Sequence, residues 1–316
     1  MRSAVQNKGA QLVLLGMGTD LAIALLKFTA ASATASASMF AEGMHSVMDL
    51  ATEAILLYGL YAARRPANVE HQLGFGREIF FWNFIAALVL LALGAGVTLH
   101  NALRQVIHPR PLEDGWINYA VLATSFAVEA VITCYAIRSS RLMRLRHGIR
   151  RYLMEVRDVT SLTVLATSLA GLLGLAIATI GTVSGAAFHR PVLDGLASIL
   201  IAVLMGLTAL LLAGQSKSLL IGAAATEDTV ADIKRAATGL EEVRSINGCL
   251  TVHLAAEQLL VGLSVSFSPG LDTAEVEAAV IKLEQAVKSC RPDVRFLFVR
   301  PESVETADRR RRLRGW

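Results

Sequence analysis

Residues 192–214 read "VLDGLASILIAVLMGLTALLLAG", and Asp194 is the only charged residue among them. A helix crossing the hydrocarbon core of a bilayer needs about 20 predominantly apolar residues. This run supplies them and so decides the fold class. Working outward, five further runs of the same kind precede it, at 11–31, 39–62, 80–103, 116–137 and 159–183. Across its 316 residues the chain is 54% hydrophobic and 18% charged, with a mean hydropathy of +0.51. Soluble domains average about 45–50% apolar and about 25% charged. The reading is a multi-pass α-helical membrane protein of six transmembrane helices over residues 1–220.

After "KSLLIG" the texture changes to the amphipathic patterns of a soluble domain. "TEDTVADIKRAATGL" has helical spacing, and "VRSINGCLTVHLAAEQLLVGLSVSFS" reads as two strands. "DTAEVEAAVIKLEQAVKSC" is an amphipathic helix with Asp272 as its N-cap, and "DVRFLFVRPE" is a third strand. The order αββαβ over 221–302 predicts a small α+β, ferredoxin-like layer pair. The remainder, 303–316, is basic and is expected to be a disordered tail.

Lys and Arg set the orientation of such a chain. Residues 138–157, after the fourth run, carry seven arginines, and Arg64, Arg65 and Arg77 follow the second. Arg2 and Lys8 precede the first. These segments are expected on the cytoplasmic side, and an even number of spans then returns the C-terminus there. The first run lacks a short apolar core ending at a small-residue cleavage site, so it is expected to stay in the mature chain. The net charge of +4 is modest, and the basic residues sit beside spans, which argues for topology and against nucleic acid as a partner. Cys134, Cys249 and Cys290 are too scattered for a disulfide framework or a zinc knuckle. No HExxH, phosphate loop or nucleophile-and-base arrangement marks an enzyme.

Within the second run, "FAEGMHSVMDLATEAILLYGL" (40–60) places His45, Asp49 and Glu53 four residues apart. At 100° per residue these form one column on a helix. Each carboxylate costs roughly 3 kcal/mol to insert at mid-bilayer, so the column must face the bundle interior or water. Imidazole with carboxylate suits a borderline divalent cation such as zinc. The competing reading is a polar clamp between helices. Asp20 and Lys27 share a similar face of the first run, Glu129 is central in the fourth, and Asp194 opens the sixth, where it fits a helix cap.

Several segments together resemble the cation diffusion facilitator family. "SMFAEGMHSVMDL" is similar to its second-span motif. "HQLGFGREIFFW" is similar to the entry to its third span, and "VIHPRPLEDGW" to the following link. "VLDGLASILIAVLMG" is similar to its sixth span, and the αββαβ tail to its cytoplasmic domain. The resemblance implies a homodimeric, proton-coupled exporter of divalent metal cations, zinc first, with manganese, cobalt or iron as alternatives. It implies an integral protein in contact with membrane lipid, with both termini cytoplasmic, as in a bacterial inner membrane. It also implies a metal site with two ligands from the second span, matched here by His45 and Asp49, and two from the fifth.

The fifth span departs from that pattern. In "LTVLATSLAGLLGL", Thr167 and Ser168 stand where an acidic ligand pair is expected. Three readings stay open. Glu53 and Asp20 restore the lost carboxylates in a relocated site; the hydroxyls suit a harder cation; or the chain is a transport-inactive partner or regulatory subunit. In the cytoplasmic domain His253, with Glu257 four residues on, is a further candidate for regulatory metal. His71 matches a position that binds a second metal in some relatives, but its neighbour Phe75 offers no ligand.

Overall fold

The computed structural model describes residues 18, 20–110, 115–139, 159–255 and 258–314. The N-terminal Arg2 and Lys8, the arginine-rich segment 140–158 and Glu257 lie outside the described residues. The chain divides into two compact units, Met1–Ala62 with Glu78–Lys217, and Ala63–Arg77 with Ser218–Trp316.

The first unit is helical. Helix α1 covers residues 20–34, α2 is Ala37–Ala63, and α3 is Glu78–Ile107. Helix α4 is Gly115–Ser139, α5 is Val159–Ala187, and α6 is Val192–Ile221. Within α3 the residues Leu90–Ala95 form a π-helical turn, a local widening often found at functional sites. Among the described residues, four stretches are long and apolar enough to cross a membrane: Glu78–Ile107, Trp116–Cys134, Leu162–Ala187 and Val192–Ile221. Helix α2, which carries Glu42, His45, Asp49 and Glu53, is not among them.

Beside an apolar core that includes Met39, Leu175, Ile201 and Met205, this unit turns many large apolar side chains outward and buries several polar ones. Large apolar side chains such as Leu25, Ile180, Leu200 and Leu207 are exposed, while Lys27, Ser38, Glu42, Asn83 and Asp194 are buried. Lipid is as apolar as leucine, so helices in a bilayer associate through small residues and interhelical hydrogen bonds. Both devices are present. Gly59 admits Trp82, and Gly94 admits Met48 and Met205. Asn83 of α3 donates to Ser216 Oγ of α6 at 2.5 Å and accepts from Thr163 Oγ1 of α5 at 2.8 Å.

Asp194 is the strongest polar tie. The sequence suggests a cap for its own helix, where it stands in the first turn, but the helix its side chain caps is α2. Its carboxylate accepts from the backbone N–H groups of Ala37 (2.6 Å) and Ser38 (3.1 Å). It also accepts from the hydroxyls of Ser36, Ser38 and Thr182. The first N–H groups of a helix have no intrahelical partner and favour negative charge. Asp194 satisfies two of them beside Ala35, which holds a left-handed φ of 54°, a conformation costly for a residue with a Cβ.

The second unit contains the expected αββαβ order: α7 (Glu227–Thr238), β1 (Val243–Ala255), β2 (Gln258–Phe267), α8 (Thr273–Cys290) and β3 (Val294–Pro301). The sheet order is β1-β2-β3. β1 pairs with β2 antiparallel, and β2 pairs with β3 in parallel. Leu259, Val261, Leu263 and Val265 alternate along β2 and are buried with Ile233 of α7 and Leu283 and Val287 of α8. Asp272 caps α8 as expected, in a reciprocal box with Glu275. Within the 303–316 stretch expected as a disordered tail, the structure shows helix at the described residues. Residues Val304–Arg314 form a helix, α9, whose Arg310 pairs with the buried carboxylate of Glu302 and whose Ala307 is buried.

Candidate functional site

The interior polar cluster of the helical unit begins on α2. Successive turns of one stripe carry Glu42, His45 with Ser46, Asp49 and Glu53. Glu42 and His45 are buried, while Asp49 and Glu53 are partly so. His45 Nε2 lies 3.3 Å from Asp49 Oδ2, one helical turn away. From α1, Asp20 lies within electrostatic range of Asp49 and Glu53. From α4, Glu129 lies within range of Asp49, Glu42 and Asp20.

Lys27 of α1 answers part of this charge. Its ammonium sits 3.0 Å from Glu42 Oε2 and 2.9 Å from Ser46 Oγ, and both ends of the pair are buried. A buried ion pair persists only when its geometry and added hydrogen bonds offset desolvation. Here the pair occupies one Glu42 oxygen and leaves the other bare. Among the described residues, Glu42 Oε1, His45 Nε2 and Asp49 Oδ1 are buried with no hydrogen-bond partner. Buried polar atoms are nearly always satisfied, and His45 Nε2 has Asp49 Oδ2 beside it at 3.3 Å.

Helix α5 makes the room. A Cβ at Gly171 would fall 2.8 Å from His45 Nε2 and 3.1 Å from Glu129 Oε1. A Cβ at Gly174 would fall 2.5 Å from Glu42 Oε1. The hydroxyl-bearing residues expected as ligands behave differently. Thr167 Oγ1 donates back to Val164 O of its own helix at 3.4 Å, and its main chain faces the His45 ring. Ser168 is buried, and its carbonyl accepts from Thr133 Oγ1 of α4 at 3.2 Å. Among the described residues no group of three or more His, Cys, Asp or Glu side chains is close enough to hold a metal ion in this conformation.

The sequence reading named Asp20, His45, Asp49, Glu53, Thr167 and Ser168. The structure places the first four in one electrostatic neighbourhood and turns the Thr167 hydroxyl to its own helix. That reading passed over Glu42, although Glu42 precedes His45 by three residues and Asp49 by seven on the same stripe. It also passed over Gly171 and Gly174, whose three-residue spacing puts both openings on one face of α5.

In the second unit His253 is buried on β1, opposite Leu259 of β2, with its backbone N–H donating to Ala223 O at 3.2 Å. Asp293 lies within its electrostatic range. The bidentate Arg291–Asp293 hydrogen bonds hold the Asp293 carboxyl below the usual carboxylate range. Burial pushes the Cys249 thiol up. His71 rests against the Phe75 ring, 4.4 Å between centroids.

The family model described as the cation efflux transmembrane domain matches residues 13–221. The chain is 30% identical over 226 residues to metal tolerance protein C4 of Arabidopsis thaliana, covering 71% of this chain and 50% of that protein. It is 26% identical over 236 residues to the mitochondrial proton-coupled zinc antiporter SLC30A9 of Xenopus laevis, covering 74% and 42%. It is 21% identical over 297 residues to an uncharacterized transporter of Methanocaldococcus jannaschii, covering 94% of each. The chain spans about half the length of the first two relatives.

Proposed function

Because the chain belongs to the cation diffusion facilitator family of cation efflux proteins, we propose that it exports a divalent metal cation in exchange for protons, through a site altered from the family pattern. Zinc is the first candidate, with manganese, cobalt or iron behind it. The observation that carries this reading is a buried set of acceptors on α2: Glu42 Oε1 and Asp49 Oδ1, without a hydrogen-bond partner among the described residues, and His45 Nε2, 3.3 Å from Asp49 Oδ2. All six helices α1–α6 span the bilayer in this reading. Helix α2 carries Glu42, Asp49 and Glu53 along its apolar length. Both termini are cytoplasmic, and the αββαβ unit pairs two copies.

The chemistry follows from shared ligands. Imidazole and carboxylate bind metal only when deprotonated, so cation and protons compete for the same atoms. A cation arriving from the cytoplasm displaces protons from His45 and Asp49. After the bundle opens outward, protons at higher concentration displace the cation. Asp20 and Glu53 lie close enough to Asp49 to tune that exchange.

Purified protein in sealed vesicles under an imposed pH gradient tests the proposal. Uptake that follows the gradient and disappears in His45→Ala and Asp49→Ala is expected. Absence of gradient-dependent uptake of zinc, cobalt, manganese, iron and cadmium rejects it. The second reading, a transport-inactive partner subunit, is favoured by the Thr167 hydroxyl turned to Val164 O and by the lack of a three-ligand cluster among the described residues. On that reading the two alanine variants leave cellular metal tolerance unchanged.

A further inference from the structure

At one end of the helical unit a cavity of about 450 Å³ lies between α1, the start of α2 and the last turns of α3. One wall is built of the short side chains of Ala31, Ser32, Ala35 and Ser36. The link from α1 to α2 is only residues 35–36, and Ala35 turns it with a left-handed φ of 54°. The facing wall is polar and cationic: Asn101 and Arg104 of α3, with His108 and Arg110 just beyond its end. Gln105 Nε2 donates to Arg110 O at 3.2 Å, which ties that following segment back to the helix. Among the described residues no acid lines the cavity, and neither arginine is in an ion pair. Asp194, which accepts from Ser36 Oγ at 2.9 Å, is committed to that hydroxyl and to its other donors. Two guanidinium groups against one carboxylate leave this end net positive.

The depth of the cavity says which anion it meets. Glu78–Ile107 has 30 residues, about 45 Å at 1.5 Å per residue, against a hydrocarbon core of about 30 Å. An even excess at both ends puts its last turns, with Arg104, at the level of lipid headgroups. On another stripe of the same turns Leu99, Leu103 and Ile107, spaced by four, are exposed. The end of α3 therefore turns cations to the cavity and an apolar row outward. A helix C-terminus favours cations, which accounts for Arg104 alone but not for Arg110 and Asn101 meeting it at one cavity. Guanidinium groups grip phosphate oxygens in paired hydrogen bonds, and basic pockets between spanning helices bind lipid headgroups. We propose that this cavity binds the phosphate group of an anionic membrane lipid, held by Arg104 and Arg110, with an acyl chain along Leu99, Leu103 and Ile107. A free phosphate ion shares the headgroup chemistry but makes no use of the apolar row. The site shares no residue with the α2 cluster, and its occupancy does not depend on transport.

Lipid counting by native mass spectrometry tests the assignment. Purified full-length protein, stripped of lipid in an uncharged detergent, is titrated with phosphatidylglycerol and with phosphatidylcholine of the same chains. Wild type is expected to prefer phosphatidylglycerol. Arg104→Gln and Arg110→Gln should each weaken that binding by about fivefold, and together by about twentyfold. Ser32→Phe keeps both arginines but fills the cavity, and should also lose the preference. Arg190→Gln removes an exposed arginine of the α5–α6 turn that does not line the cavity, and should bind as wild type. Equal binding of the two lipids by wild type would overturn the proposal. So would a loss in Arg190→Gln that matches the double variant, since the effect would then be one of general surface charge. Equilibrium dialysis against radiolabelled inorganic phosphate separates the two sources. No binding at millimolar phosphate is expected, and phosphate that binds and displaces phosphatidylglycerol would overturn the lipid assignment. None of these readouts involves metal uptake, so their failure leaves the transport reading where it stands.

Discussion

Lys27 shows how a single residue sets the charge of the bundle. Its ammonium is shared between Glu42 Oε2 and Ser46 Oγ in a site almost closed to solvent. It pairs directly with Glu42 and lies within electrostatic range of Asp20, Asp49 and Glu129. Lys27→Met strands Glu42 as a buried unpaired charge and should cost about 3–5 kcal/mol. Removing the carboxylate as well, in Lys27→Met with Glu42→Gln, should recover most of that loss. Unfolding in mild detergent with increasing denaturant measures both variants and gives the coupling between the two residues. Equal destabilisation of the single and double variants would show that the pair does not act as one unit.

At the level of elements, two termini are held by buried carboxylates. The start of α2 is fastened to α6 by Asp194, which takes two backbone N–H groups and three hydroxyls. Asp194→Asn keeps the shape but replaces charge-assisted bonds by neutral ones, so about 2 kcal/mol of stability should go. Because α2 carries His45 and Asp49, the same change should lower metal affinity without touching a ligand. The parallel case is α9, where Arg310 pairs with Glu302, a carboxylate also held by Ser264 Oγ at 2.7 Å. Ending the chain at Ser303 removes that arginine and leaves Glu302 enclosed beside β2. A loss of about 3 kcal/mol is expected, read as faster amide exchange along β2 and β3 in the full chain. Unchanged exchange would make α9 a passive appendage.

At the scale of the whole molecule, the proposed topology makes a directional prediction. In a cysteine-free background, Phe188→Cys sits in the exposed turn between α5 and α6, and Glu70→Cys in the exposed segment between α2 and α3. A membrane-impermeant maleimide added to intact cells should label position 188, and position 70 only after permeabilisation. The reverse pattern would invert the assigned orientation, and labelling of both from outside would remove the even count of spans.

Much of this was legible in the chain itself. Runs such as 192–214 are too long and too apolar for anything except a span, and periods of 3.6 and 2 separate the helices and strands of the αββαβ unit, because local geometry alone dictates those patterns. The His45–Asp49–Glu53 column follows from helical spacing for the same reason. Three features required the folded molecule: the pairing of Lys27 with Glu42, the reach of Asp194 back to α2, and the approach of both His45 and Glu129 to Gly171. Each joins residues distant in sequence through the packing of separate helices. A helix's own period says which side chains share its face, but not which neighbour that face will meet.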